Sequence, residues 1–404
     1  MMNRLFICYI SSFDLRRINN RYTPFIAGSF DSYQRVKINT IPDPDLEPTL
    51  FTGVYPHEHG MWQVKLKSEK EYSDKKLADN LPDILTTTGQ CLIHLFTGSF
   101  DLAAVPSWRR RRLEINKTRY ISRTLKNYLK FNNTASFFSI VGEKEGSYMY
   151  NIKFDKLYSL LPNLCSSACR LEFLEIHSLD ILQHWNLDNV SKISEFYRTT
   201  DHFLYELQIK CKKEEASLMI LTDHGQEPVI GSIDLIKKLR RLSIAKDEYT
   251  YYIEVPRARF WFHTDRAREK IVDMLSSIEN GTLLSYKDMY KFNVNFEDER
   301  YGEFYFIADP GYIFFPNDFY HPLGNIFLGL MDWQQRSRLT SPKHRGYHGY
   351  LPHSESEKGF MMLLDQNYKA IKKEAELIDF APTILNLLGY EKPDFMKGIC
   401  VFTK

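Results

Sequence analysis

Aspartate and histidine side chains close several apolar runs of this 404-residue chain, and their types suit divalent-metal chemistry. Asp14 ends "RLFICYISSFD", Asp180 and His184 form an Asp-x-x-x-His pair in "LDILQHW", Asp223 and His224 are adjacent in "LTDHG", and His348 lies in "GYHGY". Carboxylate oxygens and imidazole nitrogens are donors that Zn2+ or Mn2+ accepts, and three per ion leave coordination positions open. Two such ions roughly 3.5–4 Å apart clamp a phosphoryl group and stabilise attacking and leaving oxygens together. Each piece alone has a bland explanation: a turn after a strand, a chance pair, a hydrogen-bonded imidazole. The ordered set is what points to metal.

Convergence of these residues requires a scaffold that delivers strand ends to one side. The runs "RLFICYISSFD", "RLEFLEIHSLD" and "SLMILTDHG" read as short strands, and the stretches 191–212 and 233–243 read as helices. This alternation predicts an α/β fold, a mostly parallel central sheet sandwiched by helices. In such sheets ligands bind beyond the carboxyl ends of the strands, where the polar residues fall. Residues 226–340 differ, with dense aromatics, strand-like pieces "ARFWFHT" and "GEFYFIADPGYIFF", and a charged helix around 264–278. They are expected to form an inserted α+β cap on a core of residues 1–225 and 341–404. That core closes with a helix in "ELIDFAPTILNLLGYEKPDFMKG" that ends at Gly389.

Composition excludes several classes. With 43% hydrophobic and 26% charged residues the chain is a folded one, and a formal charge of +2 is too small to imply nucleic-acid or membrane binding. No run approaches the roughly 18 apolar residues of a membrane span. The amino-terminal run is interrupted by Asp14 and Arg16 too early for a signal peptide. Cysteines 8, 91, 165, 169, 211 and 400 are scattered, with only Cys165 and Cys169 close in sequence. They read as reduced structural thiols, and a cytoplasmic location is expected.

In order, "ISSFDLRR" with "TPFI", "PTLFTGVYPHEHG", "LDILQHW", "LTDHG", "YHGYLP" and "DFAPTILNLLG" make the chain resemble the alkaline phosphatase superfamily. The pattern is nearest to the type I phosphodiesterase and nucleotide pyrophosphatase branch, and it spans nearly the whole sequence. The resemblance implies a metal-dependent phosphohydrolase acting on a small phosphoester; from the small net charge and the lack of a spanning run, neither nucleic acid nor membrane is expected as partner, and oligomeric state is left open. It implies that Asp14, Asp223 and His224 hold one divalent ion and that Asp180, His184 and His348 hold the other, Zn2+ first and Mn2+ second. Phosphodiester or pyrophosphate bonds are the expected substrates. The alternative is a catalytically degenerate metal-binding member that recognises a ligand or partner.

The departure lies at the attacking group. Nine residues before Thr52 of the "TG" pair the family has Thr, Ser or a modifiable Cys, whereas this chain has Asp43. Asp43 can be a further metal ligand while a metal-bound hydroxide attacks, or can itself attack to form an acyl phosphate. Alternatively Thr40 in "NTIPD" supplies the hydroxyl, or hydrolysis has been lost. The segment "DPDLE" also places Asp43, Asp45 and Glu47 where they would disfavour a doubly charged monoester relative to a diester if they converge. Otherwise Asp45 and Glu47 occupy a first helical turn and point to water. His59 reads as a structural hydrogen-bonding residue, and the basic run 107–120 as a solvated face.

Overall fold

Alternation along one strand sets the layers of this protein. In β1 (Leu5–Ile10) Ile7 and Tyr9 enter one buried cluster with Phe51, Phe173 and Ile384, while Phe6, Cys8 and Ile10 enter another with Leu174, Leu204 and Leu207. Side chains that alternate faces and are all buried require a sheet covered on both sides. The computed structural model describes residues 2–42, 45–68, 81–97, 102–115, 123–166 and 169–404.

The sheet also contains β2 (Arg35–Asn39), β3 (Gly146–Asn151), β4 (Leu171–Ile176), β5 (Ser217–Thr222), β6 (Lys358–Leu363) and β7 (Glu374–Glu376). Its order is β7-β2-β6-β5-β1-β4-β3. β1 pairs in parallel with β4 and β5, as β3 does with β4 and β2 with β7. β6 is antiparallel to both of its neighbours. The sheet is thus mostly parallel, as expected.

The helices used below are, in chain order, α1 (Pro24–Ser32), α2 (Glu47–Thr52), α3 (Asp83–Thr97), α4 (Ser178–Asn186), α5 (Val190–Lys213), α6 (Leu235–Arg241), α7 (Pro322–Met331) and α8 (Phe380–Leu388). Their ends follow local chemistry. Asn189 caps α5 by accepting from the Lys192 amide, and Lys210, Lys212 and Lys213 fill its last turn. Gly389, at φ +81°, ends α8 in the left-handed conformation expected of it.

The chain divides into two units, Met1–Met61 with Ile121–Gln226 and Pro352–Lys404, and Trp62–Tyr120 with Glu227–Leu351. The second is built on an antiparallel sheet in the order Tyr249–Ile253, Arg257–Phe262, Phe304–Ala308, Gly281–Ser285, with the charged helix at Asp265–Ser276. It is therefore wider than the expected insertion at 226–340. Long-range contacts explain the difference. Trp62 packs edge-on against Tyr301 and Tyr305, with ring centroids 5.7 and 5.4 Å apart, and Arg259 donates to the Lys65 carbonyl. Arg109, expected on a solvated face, is buried and ion-paired with Asp318.

Candidate metal centre

Beyond β1 the chain turns sharply through Ser12, which has a φ of +63°. A serine holds that left-handed geometry only when its surroundings over-determine it. Here the Ser12 amide donates to Asp223 Oδ1 at 3.0 Å and its hydroxyl donates to Asp180 Oδ1 at 2.6 Å. Its carbonyl accepts from Gln183 Nε2 at 2.7 Å, and its hydroxyl lies 3.1 Å from His224 Nδ1. One serine thus ties the end of β5, which carries Asp223 and His224, to the first turn of α4, which carries Asp180. Along α4 His184 follows Asp180 by one turn, so both share a face, with Nε2 3.3 Å from Asp180 Oδ2. Gln226 Nε2 donates to Asp180 Oδ1 at 2.7 Å, which turns that oxygen toward the protein.

The electrostatics couple a buried acid to a buried imidazole. Asp223 is buried, and burial alone would favour its protonated form. His224, the Tyr9 hydroxyl at 2.7 Å and the Ser12 amide outweigh burial and hold its carboxyl well below the usual range. Burial would likewise depress His224, but the charge and hydrogen bond of Asp223, with Asp180 and Glu357 adding, raise its pKa to about 10. Asp14 caps the turn after β1 and lies against Gly225, where an added Cβ would meet Asp14 Cγ at 2.3 Å. Its carboxylate receives Arg16 through Nη2 at 2.7 Å and Nε at 3.0 Å.

The first unit therefore gathers Asp180, His184, Asp223 and His224, with Asp14 packed beside Gly225. His348 is in the second unit, buried and stacked on Tyr347 with centroids 5.5 Å apart. Asp43 lies outside the described residues. Thr40 is buried, and its hydroxyl donates to the Glu357 carbonyl. His59 is buried with Nε2 3.1 Å from Thr49 Oγ1, a structural bond between α2 and the turn after it. A donor set of carboxylates and imidazoles is of the kind that divalent metal accepts.

A family model for type I phosphodiesterase / nucleotide pyrophosphatase matches residues 47–351. The chain belongs to that family. No curated protein matches the sequence significantly. Among solved structures it is similar to inactive murine ectonucleotide pyrophosphatase/phosphodiesterase 5 in complex with AMP, at 14% identity and a TM-score of 0.60, covering 97% of this chain and 96% of that one. The human protein of the same description gives 14% identity and a TM-score of 0.59, with 96% of each chain covered. At this identity the structural likeness establishes the fold.

Within this member of the family a second buried group stands beside the centre and was not foreseen. Arg123 Nη1 donates to Glu47 Oε1 at 2.6 Å and also pairs with Glu175, while His177 Nε2 lies 2.7 Å from Glu175 Oε1. Tyr148 donates to Glu175 as well, and the Arg123 guanidinium stands 5.0 Å from the Tyr150 ring centroid. Glu47, one of the residues that could have pointed to water, is 4% exposed. Its charge is matched inside the protein. The run "LEIHSLD" did carry a signal, because Glu175 and His177 alternate with apolar residues of β4 just before Asp180.

Proposed function

We propose that this chain is a metal-dependent phosphoric ester hydrolase that cleaves phosphodiester or pyrophosphate bonds in a small substrate, with Zn2+ as first and Mn2+ as second choice of cofactor. The observation that carries this reading is the Ser12 clasp, which sets the two Asp–His pairs at hydrogen-bonding distance around one strand-end turn. Asp180, His184, Asp223 and His224 would hold metal, with Asp14 and His348 as the remaining candidates. The metal would supply positive charge to phosphoryl oxygens and lower the pKa of coordinated water. The protein's own groups fix the donors: Tyr9, Ser11 and the Ser12 amide keep Asp223 ionised, and Gln226 orients Asp180. Asp43 is the residue assigned to complete the site, and Thr40 is the alternative hydroxyl.

The test is turnover of bis-p-nitrophenyl phosphate with added Zn2+ or Mn2+. Metal-dependent turnover that Asp223→Ala abolishes is the expected result. Asp43→Ala, Asp43→Thr and Thr40→Ala then separate the attacking groups, and faster cleavage of an aryl monoester would overturn the diester assignment. A second reading, a metal-binding relic that recognises a ligand, is favoured by Arg16, which already supplies Asp14 with a cation. Bound metal with no turnover across a broad phosphoester panel would establish it instead.

A further inference from the structure

Helices α3 and α7 of the second unit are turned inside out. No residue of α7, "PLGNIFLGLM", is charged; it buries Gly324, Asn325 and Gly329 and leaves Leu323, Ile326, Leu330 and Met331 exposed at 40, 50, 68 and 71%. α3 repeats the inversion, burying Thr87 and Cys91 while Ile84, Leu85, Leu92 and Ile93 are 61, 59, 46 and 56% exposed. A helix facing water shows the opposite pattern.

The contacts between these elements are made by small or hydrogen-bonded residues. Cys91 Sγ would lie 3.5 Å from a Cβ at Gly324, and Thr88 Oγ1 is 3.4 Å from His321 Nε2. Gly329 lets Leu339 approach, since a Cβ there would meet Leu339 Cδ2 at 2.9 Å. The buried Asn325 is satisfied by Arg338, donating to its carbonyl at 3.0 Å and accepting from Nη1 at 3.3 Å. Small and polar groups inside with large apolar groups outside is the arrangement helices adopt against lipid.

Charge selects the kind of lipid. α6 carries Lys237, Lys238, Arg240 and Arg241, and Lys237 and Arg240 share with Thr87 of α3 and His321 at the start of α7 a cavity of about 380 Å³. The acidic groups of that cavity are engaged: Asp83 with Lys246 at 3.1 Å, Asp318 with Arg109, and Asp234 capping α6. Cationic side chains thus border the apolar helices, as they do where an interfacial helix meets anionic headgroups. No helix among the described residues is long and apolar enough to cross a membrane. At ~1.5 Å per residue α7 reaches about half of a hydrocarbon core of ~30 Å.

We propose that the α3–α7 face rests on an anionic phospholipid bilayer, its apolar side chains entering the acyl boundary and Lys237 and Arg240 lying at headgroup level. The small net charge and the absence of a spanning segment, from which no membrane partner was expected, do not bear on a peripheral face of this kind.

The test is co-sedimentation of the full chain with phosphatidylcholine vesicles with and without phosphatidylserine. The protein should pellet with the phosphatidylserine vesicles. Ile326→Glu with Leu330→Glu should abolish pelleting, and Lys237→Glu with Arg240→Glu should weaken it by about tenfold or more, since each cation near such a surface contributes ~1 kcal/mol. These side chains are exposed, so circular dichroism should show the fold retained. Absence of pelleting with either vesicle would overturn the proposal. So would sedimentation-velocity evidence of a dimer that Ile326→Glu with Leu330→Glu dissolves, which would give the face to a second copy.

Discussion

Ser12 bonds to Asp180 and Asp223 and lies 3.1 Å from His224, so it ties three of the four gathered donors together, although it is not among the metal-ligand candidates. Ser12→Ala removes the bond to Asp180 and should cost roughly 1–2 kcal/mol of stability. Because supporting hydrogen bonds of metal ligands typically govern affinity by about 10–100-fold, metal titration should show weakening of that order. Ser12→Gly relieves the left-handed strain yet loses the same hydroxyl, so recovered stability with persistently weak metal binding would locate the role in the hydroxyl. Gly225→Ala addresses Asp14: its Cβ would fall 2.3 Å from Asp14 Cγ, so the carboxylate must move and bound metal should drop in elemental analysis. That Asp180, His184, Asp223 and His224 would lie together was legible from sequence, because each closes or follows an apolar run. Ser12, Gln226 and Tyr9 were not, because hydroxyls and amides occur everywhere and only folding shows which ones reach a ligand.

Among elements, the tether at the start of α2 is the least expected. Glu47 joins Glu175 of β4 through Arg123, which comes from a different part of the chain. Arg123→Met would leave both carboxylates buried without their cation. With Arg123 itself 23% exposed, the lower end of the range for breaking such a pair applies, about 3 kcal/mol by urea denaturation. Histidines beside the same helix add a pH dependence. Burial, with His57 adding, lowers the pKa of His59 to about 3, and burial with the Arg123 charge lowers that of His177 to about 4. Both stay neutral in the folded protein while the unfolded chain takes up protons below about 6.5. Stability is therefore full above about pH 6.5 and falls as pH drops toward these values. Urea midpoints measured across that window should decline less steeply for His59→Gln. Helix and strand positions were readable from apolar periodicity, as α5 and β1 show. The tether was not, since a glutamate in a first helical turn ordinarily faces water.

For the molecule as a whole, the strand order was the hidden feature. Parallel strands joined by helices followed from the runs ending in Asp14, Asp180 and Asp223, but nothing in "KGFMML" indicated that β6 would run antiparallel between β2 and β5. The wider second unit was hidden for the same reason, being defined by contacts such as Trp62 with Tyr301 that join distant segments. A chain stopped after Leu351 lacks β6, β7 and α8 and leaves the β5 edge open, with Met219 and Leu221 losing their β6 partners. It should express in insoluble form, with soluble yield and circular dichroism as the measures. The same topology constrains birth on the ribosome. Between completion of β5 at Thr222 and arrival of Lys358 the nascent protein carries an open slot at the β5 edge, with β2 still lacking both of its neighbours, for roughly 7–27 s at translation speeds of about 5–20 residues per second. Any foreign strand that enters the slot first would compete with the chain's own, so the rate of late synthesis and the presence of holding chaperones become determinants of yield.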